Sequence, residues 1–172
     1  MEAGIDRGAS PTHATVLLAG TAGVLYLADQ VTKALVAANL ELGERVDVIG
    51  DVVQLWHLRN TGASFSILPG ALWLFVPVTI VAIAMVAYFH VQFRRRGPWI
   101  HVILGAILAG ALGNLTDRLR LGYVVDFVSV GIDDLRWPAF NVADPSLVIG
   151  IGALVLYLTF ADARGRRDEP AA

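Results

Sequence analysis

The stretch FNVADPSLVIGIGALVLYLTF, Phe140 to Phe160, decides the fold. Past Pro145 it carries no charge at all, and Asp144 stands directly in front of it. As a helix rising about 1.5 Å per residue, residues 145–161 reach roughly 25 Å, close to the hydrocarbon thickness of about 30 Å. The stretch is therefore a membrane span with a carboxylate at its doorway.

Three further windows behave alike: Ala14 to Ala38, Ala71 to Val91 and Trp99 to Leu119. Of the 172 residues 56% are hydrophobic and only 16% charged, and the mean hydropathy is +0.63, far from an ordinary soluble domain. Strands of a transmembrane barrel would alternate apolar with polar residues, which none of the windows does. The expected architecture is a single-domain, all-α integral membrane protein over residues 1–172, with four transmembrane helices at about 14–38, 71–91, 99–119 and 145–161. Residues 39–70 and 120–144 form the loops of one side and residues 92–98 the loop of the other.

The absence of cysteine excludes disulfides, thiolate metal sites and a cysteine nucleophile. A net charge of −2 conceals strong segregation, and no basic patch suggests nucleic acid. Val16 to Leu27 could pass for the apolar core of a cleaved signal peptide. Asp29, Gln30 and Lys33 would then fall at the end of that signal, so the segment reads better as a permanent first helix.

Arg94 to Arg96 follow the second window, and Arg164, Arg166 and Arg167 follow the fourth. Basic clusters beside spans mark the cytoplasmic side, so both termini are expected inside. Glu41, Glu44, Asp47, Asp51, Asp126, Asp133, Asp134 and Asp144 then lie outside, although five arginines share that side. In the first outer loop, β-branched and aromatic residues flank Gly50 and Asp51, a pair suited to a tight hairpin turn. A small outer sheet follows, whose Val52, Val53, Leu55 and Trp56 need cover. It either holds an extended peptide or only caps the bundle.

Ionisable groups at membrane depth cost about 2.5 to 3.5 kcal/mol each at a helix centre and so demand partners. Asp29 and Lys33, four apart, share a helix face and can neutralise each other. In the third window Gly105, Ala109 and Gly113 recur every fourth residue, a stripe for close helix packing. Asn114 and Asp117 lie three apart on one face beside Arg118, either as a polar clamp or as a helix end meeting water. Asp126 interrupts the apolar run VVDF. Asp144 before Pro145 matches a helix N-cap with proline at the first helical position. Yet one short loop joins the third and fourth spans, so Asp126, Asn141 and Asp144 gather at one surface. Two acids meeting there suit amide hydrolysis, which needs a base to take a proton and an acid to give one. Close carboxylates share a proton, and the helix dipole leaves Asp126 the more often protonated of the two.

At this point the residues resemble the bacterial lipoprotein signal peptidases, the type II signal peptidases. The blocks DQVTK (Asp29 to Lys33), RNTGASFSIL (Arg59 to Leu68), GALGNLTDR (Gly110 to Arg118), VVDF (Val124 to Phe127) and FNVADP (Phe140 to Pro145) occur in order along nearly the whole chain. The resemblance implies four helices with a small extracytoplasmic β cradle in the bacterial inner membrane. It implies an aspartic endopeptidase that cuts diacylglyceryl-modified prolipoproteins just before the lipidated cysteine, with Asp126 and Asp144 as the catalytic dyad. Asp29, Lys33, Asn60, Gly62, Asn114, Asp117, Arg118, Asn141 and Ala143 match family positions that support the site or contact substrate. It further implies membrane lipid as a partner, inhibition by the cyclic peptide globomycin, and no metal or organic cofactor; nothing requires more than a monomer.

Rival classes fit less well. A proton relay would string ionisable groups across the bilayer, whereas here they collect at one end. A purely structural assembly factor using the glycine stripe leaves the paired acids unexplained. His13, His57, His90 and His101 look scattered, with no HExxH spacing, and neither GxSxG nor the YD and GxGD contexts of presenilin-type proteases occur.

Overall fold

The computed structural model describes residues 10–62 and 72–165, with side chains throughout except at 72–74 and 161–165. The latter part of the Arg59 to Leu68 block, the expected start of the second span at 71, and Arg166 and Arg167 lie outside the described residues. Four helices are long and apolar enough to cross a membrane: α1 (Pro11–Asn39), α2 (Leu72–Phe93), α3 (Pro98–Leu121) and α4 (Ala143–Gly165). They alternate in direction, with a small antiparallel sheet at one end, so the expected fold class stands.

Local chemistry sets the helix ends. Ser10 accepts a hydrogen bond from the His13 amide at 3.2 Å, and Pro11 begins α1 where its missing N–H costs nothing. Pro98 opens α3 likewise, and Gly122 closes it in the left-handed region at φ 79°, its amide reaching the Arg118 carbonyl.

Helix α3 is the hub. In its apolar window 56% of residues are buried, against 17%, 6% and 11% in α1, α2 and α4. Glycine makes this approach possible. A Cβ on Gly105 would lie 2.7 Å from the Leu18 carbonyl of α1, and one on Gly150 of α4 2.7 Å from Ile107. Val86, Ile100, Leu104 and Ile107 form the apolar core, while Val16, Val24, Leu27, Val81, Val148 and Phe160 stay exposed. Lipid tolerates that outer surface; water would not.

The sheet runs β1 (Arg45–Ile49), β2 (Val53–Asn60), β3 (Val124–Ile132), β4 (Leu135–Arg136), each strand antiparallel to the next. The β1–β2 hairpin turns at Gly50, φ 48°, where the sequence places it. Val53, Leu55 and Trp56 are half-buried and Val52 exposed, with the Arg45 guanidinium 3.7 Å over the Trp56 ring. The loop between α3 and α4 is not the simple connection expected. It supplies two of the four strands and puts Asp126 opposite Leu58 in the sheet.

Candidate active site

Strand β3 leaves α3 through Gly122 and Tyr123, so Asp126 enters the bundle end three residues into the strand. Its carboxylate accepts from Asn60 Nδ2 at 2.9 Å and from Asn141 Nδ2 at 2.7 Å. Asp144 accepts from Asn114 Nδ2 at 2.8 Å and from the Asn141 amide at 3.0 Å. Asn141, fully buried, thus touches both acids, one through its side chain and one through its main chain.

The expected cap is relocated. Asn141 Oδ1 accepts the Ala143 and Asp144 amides at 2.9 and 3.2 Å, while Asp144 returns a carboxylate oxygen to the Asn141 amide. This reciprocal pattern over three residues is a capping box, with Asn141 as the cap and Asp144 as the returning acid. Pro145 is the third residue of α4 rather than the first, still within the first turn, where its lost N–H is harmless.

Each Asn amide has its orientation dictated. Gly62 donates to Asn60 Oδ1 at 3.0 Å, which leaves Asn60 Nδ2 for Asp126. Lys33, which has donors only, takes Asn114 Oδ1 at 3.1 Å, which leaves Asn114 Nδ2 for Asp144. Burial, then the neighbouring Asp144 charge, push the Asp126 carboxyl up to about 6, against the pull of the Asn60 and Asn141 hydrogen bonds and the Lys33 charge.

Behind the pair sits a buried ion cluster. Lys33 Nζ meets Asp29 at 2.8 Å and Asp117 at 3.0 Å, so all three ammonium donors are used. The i,i+4 pairing within α1 is as expected. Asp117 pairs with Lys33 across the helix interface, while Arg118, which the sequence offers as an ion-pair or backbone-carbonyl partner, takes the second role: it donates to the Asn114 carbonyl at 3.4 Å and lies 4.9 Å over the Phe75 ring. Asp29 also accepts the Ala143 amide at 2.9 Å, and Asp117 the Val125 amide at 3.1 Å. A Cβ on Gly113 would come 2.6 Å from the Asp29 carboxylate, so the last glycine of the α3 stripe makes room for a charge as well as for a helix.

All nine supporting positions therefore touch the network, and the pair opens on a pocket of about 300 Å³ lined by Asn60, Asn114, Arg118, Asp126, Asp144 and Val148, with 137–140 as one wall. Sequence reasoning missed Gln30, whose Nε2 lies within 3.1 to 3.3 Å of Asp29, the Gly113 carbonyl and Asp117. Its signal was plain enough, an amide at membrane depth inside DQVTK. It also missed that wall, which Phe140 joins to β3 through paired hydrogen bonds with Val128. Among the described residues no three His, Cys, Asp or Glu side chains are grouped to hold a metal ion.

Fold and site together define a class: a four-helix membrane protein with a carboxylate pair in a pocket at the sheet end of its bundle. Comparison narrows this. The family model described as signal peptidase (SPase) II matches residues 21–160. A lipoprotein signal peptidase of Halothermothrix orenii is 42% identical over 135 residues, 78% of this chain and 90% of that protein. One from Leifsonia xyli is 39% identical over 99% of this chain and 81% of its own. A bacterial membrane enzyme structure determined by the in meso method at 2.3 Å superposes with a TM-score of 0.78 at 31% identity, covering 88% of this chain and 92% of that one. The chain belongs to the signal peptidase II family, and it is a membrane protease.

Proposed function

We propose that the chain is an aspartic endopeptidase that cleaves diacylglyceryl-modified prolipoproteins on the N-terminal side of the lipidated cysteine, with Asp126 and Asp144 as its catalytic pair. The family's role in removing signal peptides from prolipoproteins supports the substrate class. The observation that carries the mechanism is Asn141, which holds Asp126 and Asp144 from opposite ends of one residue beside one pocket.

Asp126, the more readily protonated acid, gives its proton to the scissile carbonyl oxygen. Asp144 takes a proton from a water that attacks the carbonyl carbon, producing a neutral tetrahedral diol. Collapse returns a diol proton to Asp126, passes the Asp144 proton to the leaving nitrogen, and frees the cysteine amine and the signal peptide carboxyl. A diacylglyceryl anchor in the lipid fixes the bond at the depth of the pair; well-oriented groups held this way can be worth roughly 7 to 11 kcal/mol. The pocket faces the extracytoplasmic side of the bacterial inner membrane with both termini cytoplasmic, the arrangement that the Arg94 to Arg96 cluster at the opposite end favours. Globomycin, a cyclic peptide, fits the same pocket as an inhibitor, and a monomer suffices.

The test incubates the purified protein in detergent with a diacylglyceryl prolipoprotein and follows the loss of the signal peptide by gel shift. Wild type cleaves; Asp126→Asn and Asp144→Asn each leave the precursor intact. Turnover by either variant at the wild-type rate would remove the assignment.

A further inference from the structure

Two carboxylates that never touch the pocket hold the main chain at matching places. Asp29 Oδ1 accepts the amide of Ala143, one residue before Asp144, and Asp117 Oδ2 accepts the amide of Val125, one residue before Asp126. The separation of these two carboxylates therefore fixes where both acids of the pair begin. Left alone they would repel, since both are buried and α1 and α3 present them face to face.

Lys33 answers part of this, lying 2.8 Å from Asp29 and 3.0 Å from Asp117. One cation against two anions leaves a charge of −1 without water to screen it, and repulsion at low dielectric is large. Gln30 supplies the rest. Its Nε2 lies 3.1 Å from Asp29 Oδ2, 3.2 Å from Asp117 Oδ1 and 3.3 Å from the Gly113 carbonyl. A neutral amide adds attraction to both anions without adding a charge, which neither a carboxylate nor an apolar side chain at this position can do.

On the reading of Asp126 and Asp144 as the catalytic pair, we propose that Gln30 is a positioning residue: with Lys33 it ties Asp29 to Asp117 and so sets the gap between the two catalytic carboxyls. It acts through the backbone at 125 and 143 and does not line the pocket. Loosening the tie widens the gap, so a water no longer meets both acids at once. Asp126 is faced by Asp144, Lys33 and the guanidinium of Arg118. As Asp144 recedes, its charge raises the Asp126 pKa less, and the alkaline limb of the activity profile moves to lower pH.

The experiment is steady-state cleavage of a diacylglyceryl prolipoprotein by wild type, Gln30→Met, Gln30→Glu and Asp126→Asn across pH 4 to 9, with thermal unfolding of each in the same detergent. Gln30→Met keeps the length and removes the donors. It is expected to lose roughly tenfold or more in kcat with KM within about twofold, and to shift the alkaline limb downward. Gln30→Glu adds a third carboxylate beside Asp29, Asp117 and Lys33, and its activity is expected to recover toward acid pH relative to wild type. If Gln30→Met does not fold, the Gln30→Glu profile decides alone: a fixed loss at every pH overturns the proposal. Wild-type kcat and pH profile in Gln30→Met also overturn it, as does a loss confined to KM or to the melting temperature. Persistent cleavage by Asp126→Asn would instead overturn the catalytic pair itself, so the two failures are distinct.

Discussion

Lys33 Nζ lies 3.1 Å from Asn114 Oδ1, and the far end of the same amide lies 2.8 Å from Asp144. A buried cation on α1 thus aims a neutral donor on α3 at an acid on α4. Gly62, Asn60 and Asp126 repeat the device on the sheet side, a main-chain N–H replacing the ammonium. Both acids are held by amides that cannot turn round without losing a partner, which is the preorganisation that a proton-transferring pair needs.

Lys33→Met should be among the most damaging single changes. It removes the ammonium and leaves Asp29 and Asp117, both almost fully buried, without their counter-charge. Breaking a buried pair by deleting one partner costs about 3 to 5 kcal/mol. A thermal melt in detergent is expected to fall sharply, and adding Asp29→Asn should restore part of the loss by removing one stranded anion. A melt unchanged by Lys33→Met would show that the cluster is solvated in the membrane.

Asp126 gives a pH dependence with a definite sign. Its folded pKa, about 6, lies above the ordinary carboxyl value of 3.8, so folding favours the protonated form. The stability this supplies is complete below about pH 4 and is lost as pH rises through 6. The rise from 3.8 to about 6 corresponds to about 3 kcal/mol. Above pH 7 Asp126→Asn should therefore melt higher than wild type, by up to that amount less whatever its Asn60 and Asn141 bonds lose, while turnover disappears. Wild-type kcat/KM should fall as pH climbs past about 6, with an apparent constant that belongs to the pair. A variant that melts lower than wild type at pH 8 would show that the Asp126 carboxylate is stabilised, not strained.

Removing both acids should cost little more than removing one. Asp126 and Asp144 act in the same step, so the second deletion finds nothing left to lose. Comparing Asp126→Asn, Asp144→Asn and the double variant by the same gel shift checks this; losses that multiply would assign the two acids to separate steps.

How much of this was legible in the sequence follows the physics of each signal. Four spans could be read because lipid demands long apolar runs, and the Gly50 hairpin because its turn chemistry is local. The clustering of Asp29, Lys33, Asn114, Asp117, Asp126, Asn141 and Asp144 could be read as polarity gathered at one end. What could not be read were pairings between elements. Spacing puts Asp117 beside Arg118, its chain neighbour, but says nothing of Lys33, which meets it across α1 and α3. Asp144 reads as the cap because it precedes proline, while Asn141, three residues earlier, fills that role. Strand β3 escapes the sequence because VVDFVSVGI is buried on both faces at its start, from Val124 to Phe127, and lacks the alternation that marks a half-exposed strand.

Gly113→Ala should separate helix packing from charge placement. Its Cβ would meet the Asp29 carboxylate at 2.6 Å and Ala143 at 3.1 Å, whereas one on Gly20 meets nothing within 4 Å. Overpacking of this kind costs about 1 to 3 kcal/mol, and here the group pushed aside is the one that holds the Ala143 amide. Gly113→Ala is expected to lose both melting temperature and kcat, while Gly20→Ala keeps wild-type turnover. Equal behaviour of the two would mean that Asp29 has room to move.

The histidines give a control at the opposite end. They are not all scattered: His90 Nδ1 and His101 Nδ1 meet at 3.2 Å between α2 and α3, and Thr15 of α1 lies 3.1 Å from His90 Nε2. Thr15 donates its hydroxyl proton to the Pro11 carbonyl, so it accepts from His90 Nε2, and in that tautomer His90 Nδ1 accepts from His101. That leaves His101 Nε2 as a bare lone pair, buried and without a hydrogen-bond partner among the described residues. An unsatisfied buried acceptor costs about 1 to 3 kcal/mol, which offsets much of what the His90 bond contributes. Asn114 lies thirteen positions along α3 from His101, a rise of roughly 20 Å. His101→Leu should therefore change the melt by no more than about 1 kcal/mol and leave kcat and its pH profile at wild-type values. A shifted pH profile in His101→Leu would mean that titration at the far end of the bundle reaches the carboxylate pair.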